Sequence, residues 1–419
     1  MGNTHRLYTT ALVGFGPANL GLLLSAYRKN KLSEIAKNGI AIFEKSPRLG
    51  AGKLGYYQIT ANSLSSVFLE CIDDPRFYEL TSDFIGGDAL TFLRDYPDTA
   101  PQLSLVADLL ERLAEKIISR LAEKYQITLY REAEVTQIKR SGKSFSISFN
   151  HNGNIATAES EFVFTNCGGY QTAEQSLLND IAPVAVTSDE FLSIDKDDAS
   201  ALLHRHKIQR VAIIGGSHSA ISSVIRLSEI ADNASLAITI YCRSLPRLYF
   251  ETAAAAQDEG YAFDPVADVC PLSGRINRFA GLRYDSHQAA LSIFRTGSVS
   301  PQSPAVNFIV SDNPFITASN SSNQELCILA TGYRSASPVT GLSGKDTDGR
   351  VRDIAGNPVP GLYSFGLGAG LSPSEKAGGE PSFKGRLDGV WLYINDVGDV
   401  IIDAYTEDQH IPENIATGR

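Results

Sequence analysis

The sequence has no Cys-x-x-Cys pair, and its five cysteines, Cys71, Cys167, Cys242, Cys270 and Cys327, are an odd number at irregular spacing. That argues against both a dithiol redox centre and a disulfide framework. Each cysteine is expected to be a small buried apolar residue, since Cys167, Cys242 and Cys327 lie in or at the end of apolar runs. No apolar run reaches the 18 residues needed to cross a bilayer, and Met1 to Arg6 lack the apolar stretch of a signal peptide. A cytoplasmic protein with no membrane partner is the expectation. Basic residues are also scarce: 37 Lys and Arg stand against 47 Asp and Glu, a formal charge of −10. They are scattered, so no face is set up to neutralise a phosphate backbone, and nucleic acid is not expected as a partner. No metal-ligand pattern is read either.

What remains is a chain of 419 residues, 43% of them hydrophobic, enough for two or three domains. Ala11-Leu12-Val13 reads as a strand entering the turn Gly14-Phe15-Gly16-Pro17-Ala18-Asn19, and Leu20 to Ala26 reads as a buried helix. Ile40 to Phe43 forms a second strand ending at Glu44, 25 residues after Asn19. About 200 residues later the pattern returns: Val211 to Ile214, then Gly215-Gly216-Ser217-His218-Ser219-Ala220 and a helix. The strand Leu236 to Cys242 follows, with Arg243 where the first unit has Glu44. A glycine turn between strand and helix lets the backbone approach a pyrophosphate, whose charge the helix N-terminus favours. Either copy alone is a weak signal, but two copies with matched flanking strands are specific.

Glu44 can accept hydrogen bonds from ribose hydroxyls, which fits the adenosine of FAD. Arg243 would pair with a 2′-phosphate that a carboxylate would repel, which favours NADPH over NADH, with Arg247 as a helper. The expected fold is α/β, with two Rossmann-like units and the NADPH domain inserted in a split FAD domain. The FAD domain takes residues 1–175 and 325–419, and the NADPH domain 176–324. Gly50 to Asp98 reads as an irregular segment too long for a plain connection. A helix opens at Pro101, and strands follow over Ile127–Tyr130, Val135–Lys139, Phe145–Phe149 and Glu161–Thr165.

These features resemble the two-dinucleotide-binding-domain flavoproteins and, within them, the flavin-dependent N-hydroxylating monooxygenases typified by ornithine and lysine hydroxylases. Val13 to Asn19 is similar to that family's FAD turn, including its Pro17 and Asn19. Leu329-Ala330-Thr331-Gly332-Tyr333 is similar to its Ala-Thr-Gly-Tyr segment, and Gly55-Tyr56-Tyr57-Gln58 to the stretch whose Gln faces the flavin ring. Asp73-Asp74-Pro75 and Phe92-Leu93-Arg94-Asp95-Tyr96 are in keeping with it. Two departures stand out. Related reductases carry an acidic residue for the flavin ribityl chain where Phe365-Gly366 is followed by Leu367, and Gly168-Gly169-Tyr170-Gln171 lacks the His of the F-x-G-x-x-x-H fingerprint of ketone-oxidising enzymes.

The resemblance implies an FAD- and NADPH-dependent monooxygenase that N-hydroxylates a small amine or amino acid through a flavin peroxide adduct, with oxygen as co-substrate. Without a cysteine pair, electrons on the flavin must pass to oxygen or a bound substrate. Gln58 and Lys53 are the candidates beside the flavin ring. Asn19 would hold the pyrophosphate or cap its helix, and Ser217, Ser219 and His218 would contact the NADPH phosphates. Thr331, Gly332, Tyr333, Gly366 and Leu367 complete the expected cofactor contacts. Tyr249 to Arg283, dense in aromatics and charge, is the candidate substrate lid, its arginines serving either a carboxylate substrate or structural ion pairs. A homo-oligomer is compatible with this reading. The alternatives are an NADPH-dependent flavin reductase or dehydrogenase without oxygenation, and a non-catalytic nucleotide sensor.

Overall fold

The computed structural model describes residues 6–172, 178–230, 236–321, 323–339, 347–374 and 377–409. Two sheets organise them. The first has eight strands, with β1 (Leu7–Val13) and β2 (Ile40–Glu44) at its centre. Strand Ile127–Arg131 lies parallel beyond β2, and Asn154–Thr165 runs parallel on the other side of β1. Pro358–Ser364 adds a parallel strand outside Asn154–Thr165, so residues far apart in sequence close one sheet. The hairpin of Ala133–Ser141 and Ser144–His151 joins it antiparallel through Asn154–Thr165.

The second sheet has five parallel strands in the order Ala305–Val310, Ala237–Cys242, Arg210–Ile214, Leu326–Leu329, Val184–Thr187. Its middle repeats the first sheet: a central strand enters a glycine turn, the next strand lies on one side, and a strand from much later in the chain lies on the other. All-parallel strands covered on both faces read as unbroken apolar runs, and Val211 to Ile214 are accordingly buried. Strand Leu326–Leu329 falls on the far side of the division placed at residue 325. It hydrogen-bonds to Arg210–Ile214 and Val184–Thr187, so it completes the second sheet and the return to the first comes after it.

Residues 50–98 differ from the irregular segment expected. They carry helices at Ser65–Asp73, Tyr78–Thr81 and Gly87–Asp95 and short 3-10 turns at Leu54–Tyr56 and Pro75–Phe77. None exceeds nine residues, too short for apolar periodicity to stand out, and their stability comes from packing. Phe68, Phe77, Leu80 and Leu93 join the same core as helix Leu103–Ala122, which buries Val106, Leu109, Leu110, Leu113 and Ile117. Among the described residues no helix is long and apolar enough to cross a membrane. All five cysteines are free; Cys71, Cys242, Cys270 and Cys327 are buried and Cys167 is half-buried.

Candidate cofactor and active site

In a parallel sheet the strand order reverses at one point, and the gap there, at the carboxyl ends of the strands, is where a ligand enters. Each sheet has one such gap, and the two are stitched alike. In the first, Gly14 donates to the Phe43 carbonyl at 2.8 Å and Asn166 donates to Val13 at 2.7 Å. In the second, Gly215 donates to Tyr241 at 2.9 Å and Ala330 donates to Ile214 at 2.8 Å. Gly14 has φ +77, and a Cβ there would lie 2.3 Å from the Asn166 carbonyl oxygen; Gly215 has φ +131, and its Cβ would lie 2.2 Å from that of Ala330. No side chain fits at either place.

The first turn suits an anionic nucleotide. Helix α1 (Pro17–Arg28) begins after Gly16 with no side-chain cap and no acidic residue in its first turn, so its positive end is uncompensated. Asn19 is fully buried; its Nδ2 donates to the Gly14 carbonyl at 2.6 Å, while its Oδ1 has no partner in the protein. Glu44 is fixed at the end of β2, one oxygen accepting from the Phe15 amide at 2.6 Å and the other from Ser46 at 2.8 Å. Gly50 donates to the Phe15 carbonyl, and Gly52 lies against Gly16, so the segment after residue 50 covers the turn.

In the second turn, helix His218–Ile230 has no acidic residue in its first turn. Gly216 abuts Cys242 and Ser244, Ser217 is exposed and Ser219 is half-buried. Arg243 is exposed at the end of strand Ala237–Cys242, open to a ligand in that gap. His218 turns elsewhere: its Nδ1 lies 3.0 Å from Ser286 Oγ, and burial pulls its pKa down to about 4. Its ring joins two helices rather than presenting a cation to phosphate. Arg247 also looks away, binding Ser382 and lying 3.4 Å from Asp268.

Between the sheets the residues expected near the flavin ring separate. Gln58 is exposed, and its backbone N–H donates to the Leu192 carbonyl at 2.8 Å, tying the segment to the second unit. Lys53 lies 3.0 Å from Asp189 Oδ2. Tyr57 also donates to Asp189, and the Tyr333 hydroxyl lies 3.2 Å from Asp189 Oδ1 and 3.1 Å from Tyr57. Burial alone would raise the Asp189 pKa, but the Tyr57 and Lys53 donors outweigh it and hold the group below the ordinary carboxylate value. Burial, then the neighbouring Tyr333 and Asp189, pushes the Tyr57 phenol far up. Lys53 is therefore half of an ion pair bridging the two units. Thr331 and Gly332 are exposed, and Leu367 and Tyr333 both pack on Gly169, drawing the crossing strands together. Asp189 went unnoticed in the sequence; its signal is the capping box Thr187-x-x-Glu190, which marks a helix start with Asp189 in the first turn.

The arginines of residues 249–283 are committed to structure. Arg275 binds Glu251 at 2.9 Å, Arg283 stacks on Tyr249 and donates to the Arg278 carbonyl, and Arg278 donates to Ala377. The segment is clasped by the C-terminal part of the chain. Glu380, 2% exposed, accepts from the amides of Phe279 and Ala280 at 3.0 and 2.7 Å, and Ser382 binds Asp268.

Comparison with known proteins agrees with this arrangement. No protein-family model matches the chain. The CMP-5′-(3-aminopropyl)phosphonate hydroxylase of Streptomyces rubellomurinus is 29% identical, the match covering 95% of this chain and 97% of that protein. The ornithine N-hydroxylase of Kutzneria sp. 744, solved with reduced FAD, NADP+ and L-ornithine, superposes with a TM-score of 0.58 at 16% identity, over 96% of this chain and all of the other. The fold is that of the N-hydroxylating flavin monooxygenases. L-lysine 6-monooxygenase from Pseudomonas syringae shares this N-hydroxylase-like fold, with a TM-score of 0.57 at 15% identity over 96% of this chain and 99% of its own.

Proposed function

We propose that this N-hydroxylase-like flavoprotein is an FAD- and NADPH-dependent monooxygenase acting on the nitrogen of a terminal primary amine. The observation that carries the reading is the duplicated, identically stitched glycine turn in a chain matched end to end by a hydroxylase of an aminopropyl substrate. Gly14, Gly16, Asn19 and Glu44 would hold FAD, and Gly215, Gly216, Ser217, Ser219 and Arg243 would hold NADPH. FAD supplies the redox chemistry that accepts hydride and activates oxygen. The protein's part is to bind both nucleotides across the gap between the sheets, keep water out, and hold the amine neutral when it is oxidised.

Lys53 and Tyr57, pinned to Asp189 with Tyr333, fix the spacing between the two units. Gln58, exposed beside them, is the side chain we assign to face the flavin ring. The substrate class is a short aminoalkyl chain, free or carried on a larger anionic group as in the Streptomyces relative. A cytosolic setting, where NADPH is regenerated, suits the chemistry. The test is to incubate the FAD-loaded protein with NADPH, oxygen and a panel of terminal amines, then look by mass spectrometry for one added oxygen atom. Amine-stimulated NADPH oxidation with that product is expected. NADPH oxidation without oxygenated product, persisting anaerobically with an artificial acceptor, would instead make the protein a reductase.

A further inference from the structure

The C-terminal part of the chain contains a carboxylate, Asp388, that no part of the function above uses. Gly366, at φ +90, packs so closely on the side-chain amide of Asn166 that a Cβ would overlap it, and Asn166 in turn is stitched to Val13. Residues 366–370 are thereby held beside the first glycine turn. At the end of this loop Leu387 donates to the Leu371 carbonyl at 2.8 Å, an isolated antiparallel bridge that sets Asp388 opposite Gly370. A Cβ at Gly370 would fall 2.3 Å from Asp388 Oδ1, so position 370 must lack a side chain for the carboxylate to stand where it does.

From behind, the Tyr393 hydroxyl donates to Asp388 Oδ1 at 3.3 Å, and the Tyr393 backbone packs on Gly21 of α1, where a Cβ would lie 2.7 Å from its carbonyl carbon. The carboxylate thus connects on one side to the turn and on the other to the helix that the turn opens. Arg386, two residues away, directs its guanidinium to the Gly368 carbonyl, and its positive charge offsets the desolvation of Asp388 only in part. Asp388 is exposed, yet desolvation dominates its environment and pushes its pKa up to about 7. Gly370 and Tyr393 enclose it on two sides. One hydrogen bond at 3.3 Å leaves most of its acceptor capacity unused.

We propose that Asp388 accepts hydrogen bonds from hydroxyl or ring N–H donors of the flavin nucleotide held by the first turn. It does so from a different strand of chain, where Leu367 leaves the position after Phe365-Gly366 without a carboxylate. The inference rests on the assignment of FAD to that turn. A substrate ammonium could use the same acceptor, and the experiment separates the two sources.

The full-length protein stripped of flavin is titrated with FAD, following quenching of flavin fluorescence, for the parent, Asp388→Asn and Asp388→Ala. Thermal unfolding of each apoprotein checks that it folds, and Asp388→Asn guards against collapse of the site. Expected is a tenfold or greater loss of FAD affinity for Asp388→Ala and a smaller loss for Asp388→Asn. Apoprotein stability and NADPH affinity should stay at parental values, which a merely structural carboxylate would not give. Equal FAD affinity in folded variants overturns the proposal. So does equal FAD affinity with a raised KM for the amine, which would assign Asp388 to the substrate. A parent protein that binds no FAD would overturn the functional reading itself, a distinguishable result.

Discussion

Substituting alanine at one glycine turn at a time should disconnect one nucleotide from the other. At Gly215 the new Cβ would lie 2.2 Å from the Ala330 carbonyl oxygen and 2.8 Å from its carbon, both backbone atoms that no rotamer change can move. Relief requires the turn or the end of strand Leu326–Leu329 to retreat, which strains the 2.8 Å bond from Ala330 to Ile214 and the 2.9 Å bond from Gly215 to Tyr241. A residue with a side chain held at φ +131 adds strain of about 1–3 kcal/mol. Losing one buried backbone hydrogen bond adds about 1 kcal/mol more. The displaced atoms are those that would line a pyrophosphate, so we expect Gly215→Ala to lose at least tenfold in NADPH affinity, about 1.4 kcal/mol. Gly14→Ala, with φ +77 and a 2.3 Å clash against Asn166, should do the same to FAD. Fluorescence titration of each nucleotide against each variant gives a two-by-two comparison. If Gly215→Ala released FAD and kept NADPH, or either variant bound both nucleotides like the parent, the assignment of one turn to each cofactor would be wrong.

Arg243→Ala should weaken NADPH binding about tenfold or more and leave NADH binding unchanged, because only the former has a 2′-phosphate to pair with; equal loss for both would remove Arg243 from that site. His218 gives a pH signature: with its folded pKa near 4 and an ordinary value near 6.5 when unfolded, its neutral burial contributes fully above pH 6.5. That contribution falls away as pH drops toward 4, by roughly 2 kcal/mol between pH 7.5 and pH 5. Denaturant titrations should show His218→Asn losing that part of the pH dependence, and an unchanged slope would contradict the desolvated, uncharged ring. Asp189, held low by Tyr57 and Lys53, stabilises above its unfolded value and loses this as pH falls through the folded one. Asp189→Asn should therefore flatten the acid limb below about pH 4 in the same titrations.

The turns could be read from sequence because everything they need is local: a strand, glycines at fixed offsets and a helix start. Glu44 and Arg243 follow from the same register, one strand further on. The capping box marks where Asp189 lies, but neither Asp189 nor Asp388 could be given a role this way, since each gains its meaning from residues brought to it by the fold, Tyr57 and Tyr333 in one case and Gly370 and Tyr393 in the other. Strand Leu326–Leu329 was recognised as a strand, but four apolar residues carry no information about which of two parallel sheets will accept them. The arginines of the 249–283 segment left open a carboxylate substrate or structural ion pairs, and the fold gives them carbonyls, a carboxylate and a tyrosine ring within the molecule as partners.

The Glu380 clasp bears on how the inserted segment stays attached to the rest of the chain. Its carboxyl group is almost wholly removed from water and accepts from two backbone amides of the inserted segment, so pulling that segment away would leave a buried acceptor and two amide donors without partners. Leaving a buried polar group unsatisfied costs about 1–3 kcal/mol, which makes the separated arrangement a rare one. A hinge at this edge is thereby disfavoured, and movement between the two sheets is left to elements away from Glu380.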